Sequence, residues 1–365
     1  MSHFAVKPSA LDTYAGVLGV GGHAVNLERA FSGTALGYVN SYVPVPADDG
    51  DLFYEVYVAN REVVSHLQGL LPRIGTLYAA SAAALESAAQ AYRTTDTEAA
   101  RAADAAYGQR SGVSGLHDVP SGSSGLVDPT PQLHGVPSKD APIPDMVHWV
   151  IDKAGWLSIA GTVLKIAQLF GLDPVKELNE AVLGDYSELA QAGHALEALA
   201  AFERQAASTM SAGLSTMGGE WTGNAATAAT SYFEEFAGAL HGHAGELDTL
   251  GEKYALLVQA CTQVAELLGS ALANAIDQLL ICAAKLAAAG CLSTVPGINV
   301  IAGLVGAYQV WVTKDAVALF IKYTSRVTTV VESFLGLTVY IASAFKDGSL
   351  EAAFPPAPYA NGATS

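Results

Sequence analysis

The strongest constraint on the fold is a pair of long segments in which apolar residues recur every three or four positions, on either side of the stretch Gly218–Asn224. Such spacing places the apolar side chains on one stripe of an α-helix. The two stripes consist of Leu189, Leu196, Leu199, Phe202, Met210, Leu214 and Met217 before the stretch and of Phe233, Phe236, Leu240, Ala244, Leu247, Tyr254, Val258, Cys261, Ala265 and Leu268 after it. The glycine pair that opens the stretch can end the first helix in a left-handed cap, and Thr222 or Asn224 can cap the second helix. The sequence therefore predicts a helical hairpin with Trp221 in its turn and the indole N–H close to water.

A second helical hairpin is predicted for residues 1–107. Its first helix starts at Pro8, whose ring favours the first turn, and runs to about Ser32. A loop follows over 33–50, and the apolar rhythm then resumes in a long second helix, which Pro72 should bend or interrupt. Because no alternating strand pattern appears in the chain, we predict an all-α fold in which the two long hairpins pack as a four-helix bundle.

The other segments divide by composition. Residues 108–144 are rich in Gly, Ser, Pro and Asp without an apolar period, which predicts a flexible linker. Short helices are expected over 145–185, and the hairpin around Trp221 fills 186–285. Apolar helices are expected over 286–346, and the Pro-containing tail 347–365 is predicted to be disordered.

The apolar region leaves two alternatives open. Residues 286–313 carry no charge, and a segment of this length can cross a bilayer. Pro296 and Gly297 lie in its middle, however, and Ala and Gly dilute its hydrophobicity. It is therefore either two short helices buried against the hairpin or a membrane-inserting hairpin.

Charge and composition exclude several classes of site. The net charge is −17 and no basic run occurs, so we expect no nucleic-acid partner. The three cysteines Cys261, Cys282 and Cys291 lack metal-ligand spacing with histidine, and they suit small buried side chains or, outside the cell, one intermolecular disulfide. His241 and His243 point in different directions on a helix, so we expect no metal site.

Catalytic signatures are missing as well. The sequence contains no Gly-x-Ser-x-Gly, no His-Glu-x-x-His and no strand-to-helix phosphate loop. We therefore expect no enzymatic activity and no cofactor. The start of the chain lacks a charged region followed by an apolar one, so no cleaved secretory signal peptide is expected.

Two short motifs stand at the ends of the predicted hairpins. Tyr92 and Asp96 are four residues apart, which places them on one face at the end of the long helix. Trp221-Thr222-Gly223 occupies the turn of the other hairpin, where Trp can pack against both helix ends and Gly permits a backbone turn that other residues resist.

Together these motifs resemble the substrates of the type VII (ESX) secretion systems of mycobacteria and related actinobacteria. In that family, hairpins with a WxG turn pair into four-helix bundles, and a YxxxD/E motif after a partner's last helix serves in export. Residues 5–104 resemble EspC-like proteins, from the start Val6-Lys7-Pro8-Ser9 to the end Tyr92–Asp96. Residues 186 to about 312 resemble the N-terminal part of EspA-like proteins. Pro72 and the stretch 108–185 have no counterpart in this resemblance.

The resemblance implies a fused pair in one chain. Tyr92, Asp96, Trp221 and Gly223 are then the residues of a composite export signal, which the secretion ATPase of the ESX system recognises. The expected protein is non-enzymatic, secreted or associated with the cell envelope, active in virulence through host interaction, and capable of self-assembly into homo-oligomers. Two alternatives are a secreted effector that permeabilises membranes through residues 286–345 and a cytoplasmic helical scaffold.

Overall fold

The computed structural model describes residues 5–19, 23–45, 54–95, 126–136, 186–288 and 353–360, together with residues 99 and 102. In the long helix that begins at residue 54, side chains are described from residue 57 onward. In the long helix that begins at residue 224, side chains are described up to residue 259. The described part is predominantly helical, so the all-α prediction is confirmed.

The elements follow in chain order. They are β1 (Ala5–Val6), α1 (Pro8–Leu18), α2 (Leu27–Arg29), a π-helical segment (Ala30–Ala35), α3 (Leu36–Tyr42), α4 (Tyr54–Thr94), a 3₁₀ turn (Thr130–Gln132), α5 (Tyr186–Gly218), β2 (Trp221–Thr222) and α6 (Asn224–Ala288). Pro8 takes the predicted first position of α1. The helix α4 is continuous across Pro72, so the predicted interruption does not occur.

The first arm of the N-terminal hairpin differs from the prediction of one helix followed by a loop. The helix α1 ends at Leu18, and α2 begins after Asn26, whose side-chain oxygen accepts a hydrogen bond from the Arg29 amide at 2.8 Å. The Asn26 amide group also donates to the carbonyl of Gly19 at 3.3 Å. At Gly19 the chain is tight, because a Cβ there would lie 2.9 Å from the Cβ of Glu28. Cap and glycine together break the helix, and the predicted loop over 33–50 is helical as far as residue 42.

Both halves of the chain contribute to one hydrophobic core. The ring of Phe31, in the π-helical segment, lies 5.5 Å from Tyr78 of α4 and 4.8 Å from Phe202 of α5. Tyr78 stacks in turn on Phe236 of α6, with ring centroids 4.8 Å apart. Rings from four separate elements therefore meet in the interior. A regular four-helix bundle stays a prediction.

Close approach of α5 and α6 depends on two glycines. A Cβ on Gly193 would lie 2.8 Å from the Cβ of Tyr254, and a Cβ on Gly251 would lie 2.8 Å from Glu197. Such distances are far inside van der Waals contact, so larger residues at these two positions would push the helices apart.

The predicted flexible linker and the predicted disordered tail each contain a described segment that packs against the helices. Within the linker 108–144, residues 126–136 lie against the helices, and the Thr209 hydroxyl donates to the Val127 carbonyl at 2.6 Å. Tyr38 likewise donates to the carbonyl of His134 at 3.1 Å. Within the tail 347–365, residues 353–360 are docked on the core through two buried aromatic side chains. The predicted short helices at 145–185 and the predicted apolar helices beyond residue 288 lie outside the described residues.

Candidate recognition site at the Trp221 turn

The turn between α5 and α6 depends on the last residue of the Trp-x-Gly motif. Gly223 has φ 130°, a region that side-chain-bearing residues rarely adopt. Among the described residues it is the one glycine whose φ lies in the left-handed region, so the left-handed cap predicted for Gly218 and Gly219 is wrong. The carbonyl of Gly223 then accepts the amide of Thr227 at 3.0 Å, which starts α6. The glycine of the motif is therefore a backbone requirement.

A short N-terminal strand closes over the turn. Ala5 and Val6 of β1 pair antiparallel with Thr222 and Trp221 of β2. The Lys7 amide extends this pairing by donating to the carbonyl of Glu220 at 2.9 Å. The sequence carried no signal for this pairing, because a two-residue strand is too short to show an alternating pattern.

An ion pair accompanies the strand. Lys7 Nζ lies 3.2 Å from Glu220 Oε1, and the two side chains are 60% and 47% exposed. Exposed pairs of this kind contribute about 0–1 kcal/mol. The backbone hydrogen bonds, rather than the charges, therefore hold the strand on the turn.

Trp221 lies in the paired strand β2 and is buried, with 1% of its surface exposed. Its ring makes an edge contact with Tyr92 of α4, with centroids 6.2 Å apart and planes at 66°. Aromatic pairs with this geometry contribute about 0.5–1.5 kcal/mol beyond their burial. The expectation that the indole N–H stays near water is wrong, since Nε1 is buried and has no hydrogen-bond partner among the described residues.

The end of α4 is held at the same place. Arg93 forms an ion pair with Asp12 of α1 on the outside of the protein. The helix ends at Thr94, and the Thr95 amide still donates to the Ala91 carbonyl at 3.0 Å. Asp96, the second residue of the YxxxD motif, lies outside the described residues. Of the four predicted site residues, the structure thus brings together Tyr92, Trp221 and Gly223.

Charged side chains lie on the protein surface near the buried Trp221. Lys7, Asp12, Arg93 and Glu220 surround the Tyr92–Trp221 contact with exposed side chains of both signs. Such a surface can bind a protein partner through charged and backbone groups, whereas Trp221 itself is covered.

A buried polar pair lies elsewhere in the interior and was missed by the sequence reasoning. His243 Nδ1 lies 2.7 Å from Glu203 Oε2, and both side chains are inaccessible to solvent. The neighbouring His241 is half-buried, and burial lowers its pKa from the usual value, with the charge of Arg204 adding to the effect. Among the described residues there is no group of three or more side chains able to hold a metal ion.

The membrane hypothesis concerns a different region. No helix in the described part of the chain combines the length and the apolar character needed to cross a bilayer. The side chains of residues 286–345, on which that hypothesis depends, lie outside the described set, as do those of Cys261, Cys282 and Cys291.

Comparisons with known proteins add no relative. No protein-family model, curated protein or solved structure matches this chain.

Proposed function

We propose that this chain is a non-enzymatic substrate of a type VII (ESX) secretion system. We further propose that the end formed by residues 5–7, 92–95 and 220–223, which we call the signal end, is its export signal. The observation that supports the proposal is the contact of Tyr92 with Trp221. These residues belong to two motifs far apart in sequence, and they meet at one end of the molecule, as the resemblance to paired WxG and YxxxD hairpins implies. The partner is then the secretion ATPase, and the destination is the cell envelope or the medium, with self-assembly and host interaction as later steps.

Because Trp221 is buried, the residues of the proposed signal have different roles. A side chain with 1% exposure is not available for a receptor to contact directly. Trp221 therefore acts by supporting Tyr92 and the end of α4. Tyr92 is half-buried, while Arg93, Thr94 and Thr95 after it are exposed. The proposed contacts with the ATPase are therefore made by this exposed end of α4 and by Asp96.

The decisive experiment is a secretion assay in strains with and without the export ATPase. Wild type, Tyr92→Ala, Asp96→Ala and Trp221→Ala are compared by their amounts in culture filtrate and in cells. We expect the wild type in the filtrate only when the ATPase is present, and each variant retained in cells. Tyr92→Phe keeps the ring contact with Trp221 and is the matched variant that reports on the hydroxyl group.

Loss of folding must be separated from loss of the signal. Phe31→Leu removes core volume next to Tyr78 and Phe202 rather than at the signal end, and it serves as a destabilised control with a cost of about 1–3 kcal/mol. This control should still be exported. Normal secretion of Tyr92→Ala and Asp96→Ala, or equal secretion without the ATPase, would refute the proposal.

A further inference from the structure

The C-terminal segment 353–360 occupies a groove between α4 and α6. Its sequence, Ala-Phe-Pro-Pro-Ala-Pro-Tyr-Ala, carries no charge and has three prolines between two aromatic residues. Phe354 and Tyr359 are buried, with 2% and 5% of their surfaces exposed, while Pro356 and Pro358 face solvent. The segment is therefore buried at Phe354, Pro355 and Tyr359, of which the two aromatic residues are its anchors, and its other residues are exposed.

The first anchor, Phe354, lies against two rings of α6. Its ring meets Phe236 edge-on at 6.1 Å and His243 at 5.9 Å. His243 is held in turn by its pairing with the buried Glu203 of α5. The His243 ring that contacts Phe354 is thus held in place by Glu203 of α5.

The second anchor, Tyr359, lies nearer to the start of α6. Its ring is 5.8 Å from both Tyr232 and Phe233. The Tyr359 amide donates to the Ser81 hydroxyl of α4 at 3.0 Å, and the Tyr232 hydroxyl donates to the Ala357 carbonyl at 3.2 Å. Side chains of α4 and α6 therefore form hydrogen bonds with one backbone donor and one backbone acceptor of the segment.

Some of these features also occur where aromatic grooves bind proline-rich peptides, although this segment bends at Phe354, Pro356 and Ala357. Proline fixes φ and lowers the entropy lost when an extended peptide is ordered. Aromatic walls provide area, and a few side-chain hydrogen bonds to the backbone provide register. The segment is also joined to α6 only through the 64 residues 289–352, which follow the end of the helix at Ala288.

We propose that the groove lined by Ser81, Tyr232, Phe233, Phe236 and His243 is a peptide-binding site. Its ligand class is an uncharged, proline-rich segment with two aromatic anchors five residues apart, and its occupant is this chain's own segment 353–360. The segment acts as a detachable latch: it binds as a ligand does, and its release leaves the helical core intact. This proposal stands independently of the export function.

The test uses the full chain carrying Phe354→Ala and Tyr359→Ala together, which empties the groove without altering its walls. A fluorescein-labelled peptide with the sequence of residues 352–361 is titrated against this double variant and against wild type. We expect saturable binding to the double variant, at least tenfold weaker binding to wild type because the latch competes, and no binding of a peptide that carries the same two alanines. Adding Phe236→Ala to the double variant should weaken binding. Absence of binding to a double variant with wild-type circular dichroism, or equal binding to both proteins, would overturn the proposal.

Hydrogen exchange on wild type provides a second measurement that needs no variant. The Tyr359 amide should exchange through local opening, at least a hundredfold faster than the amide of Phe236 in α6 and with little dependence on urea. Exchange of the two amides at the same rate would show that the segment leaves only when the core unfolds, which contradicts a detachable latch. A wild-type dimer that the double variant loses would equally overturn the intramolecular assignment, because the occupant would then come from a second copy.

Discussion

Asn60 provides the sharpest test of how the two halves of the chain are joined. Its side chain is completely buried on α4. Its oxygen accepts the Val45 amide at 3.0 Å, and its amide group donates to the Val43 carbonyl at 3.0 Å and to the Tyr254 hydroxyl at 2.9 Å. One side chain therefore ties the end of the first arm to α4 and to α6.

Replacing Asn60 with Leu keeps a similar volume and removes all three hydrogen bonds. Each buried group left without a partner costs about 1–3 kcal/mol, and partial relaxation recovers some of the loss, so we expect Asn60→Leu to lower the free energy of unfolding by about 3–6 kcal/mol. Tyr254→Phe deletes only one of the three partners and should cost about 1–3 kcal/mol.

Urea denaturation of the full chain, followed by circular dichroism, measures these values. A double-mutant cycle isolates the bond between the two side chains, because Tyr254→Phe should cost less in the Asn60→Leu background than in wild type. A cost below about 1 kcal/mol for Asn60→Leu would refute the reasoning, since a fully buried amide with three partners cannot be removed so cheaply. Equal costs of Tyr254→Phe in both backgrounds would show that the bond contributes nothing.

Three further outcomes are expected from the same denaturation assay. Gly223→Ala should lower the free energy of unfolding by about 1–3 kcal/mol, because φ 130° is strained for any residue with a side chain. The control Gly238→Ala lies at a helical site with open space around it and should raise the free energy of unfolding by about 0.5–1 kcal/mol. Equal effects of the two substitutions would contradict a strained turn. His243→Ala leaves the buried Glu203 without its hydrogen-bond partner and should cost at least about 1–3 kcal/mol. Replacing both residues with apolar ones of similar size should cost less, and a double replacement as costly as the single one would contradict this account. Burial raises the pKa of Tyr254 to about 12, so the folded state favours the neutral phenol. The contribution of this group to the free energy of unfolding is complete below pH 10 and decreases by about 3 kcal/mol as the pH rises from 10 to 12. Tyr254→Phe should make this decrease smaller, and a variant with the same pH profile as wild type would refute the prediction.

The long helices of the second hairpin could be predicted because burial imposes a period on them. The described members of both predicted stripes are buried, apart from the partly buried Val258. The period is local information, since residues three or four apart share a face whatever the partner is. Helix existence and facing therefore follow from the sequence alone.

The first arm shows where local signals compete. Its four glycines weaken a helix, and Asn26 followed by Glu28 favours a new start, but an apolar rhythm continues through the region. The tertiary contact decides the outcome, because Gly19 lies against Glu28 and Gly75 of α4 lies against Ser32. The break could be suspected from the cap residue, whereas its position follows from the packing.

The polar interior could not be predicted, since nothing periodic identifies a partner. Asn60 bonds to Tyr254, and Glu203 pairs with His243, across distances in sequence that no local pattern spans. Read alone, each of these residues resembles a solvated polar position on a helix. The same holds for Phe354, which looks like part of a proline-rich tail until its two ring contacts are known.

The candidate site combines both kinds of information. The chemistry of Gly223 follows from its residue type, because a tight entry into α6 requires a backbone that only glycine adopts readily. The meeting of Tyr92 with Trp221 could be expected only from the family resemblance, and the strand β1 that pairs with Trp221 was not expected at all. That strand changes the meaning of the motif. Val6 pairs with Trp221, and Lys7 donates to the carbonyl of Glu220, so the protein's own N-terminal segment occupies one edge of the turn. Under the proposed function, a receptor would therefore meet this strand and the exposed end of α4 rather than the buried tryptophan. The proposed signal would then exist only in the folded protein, because its parts come from three separate places in the chain.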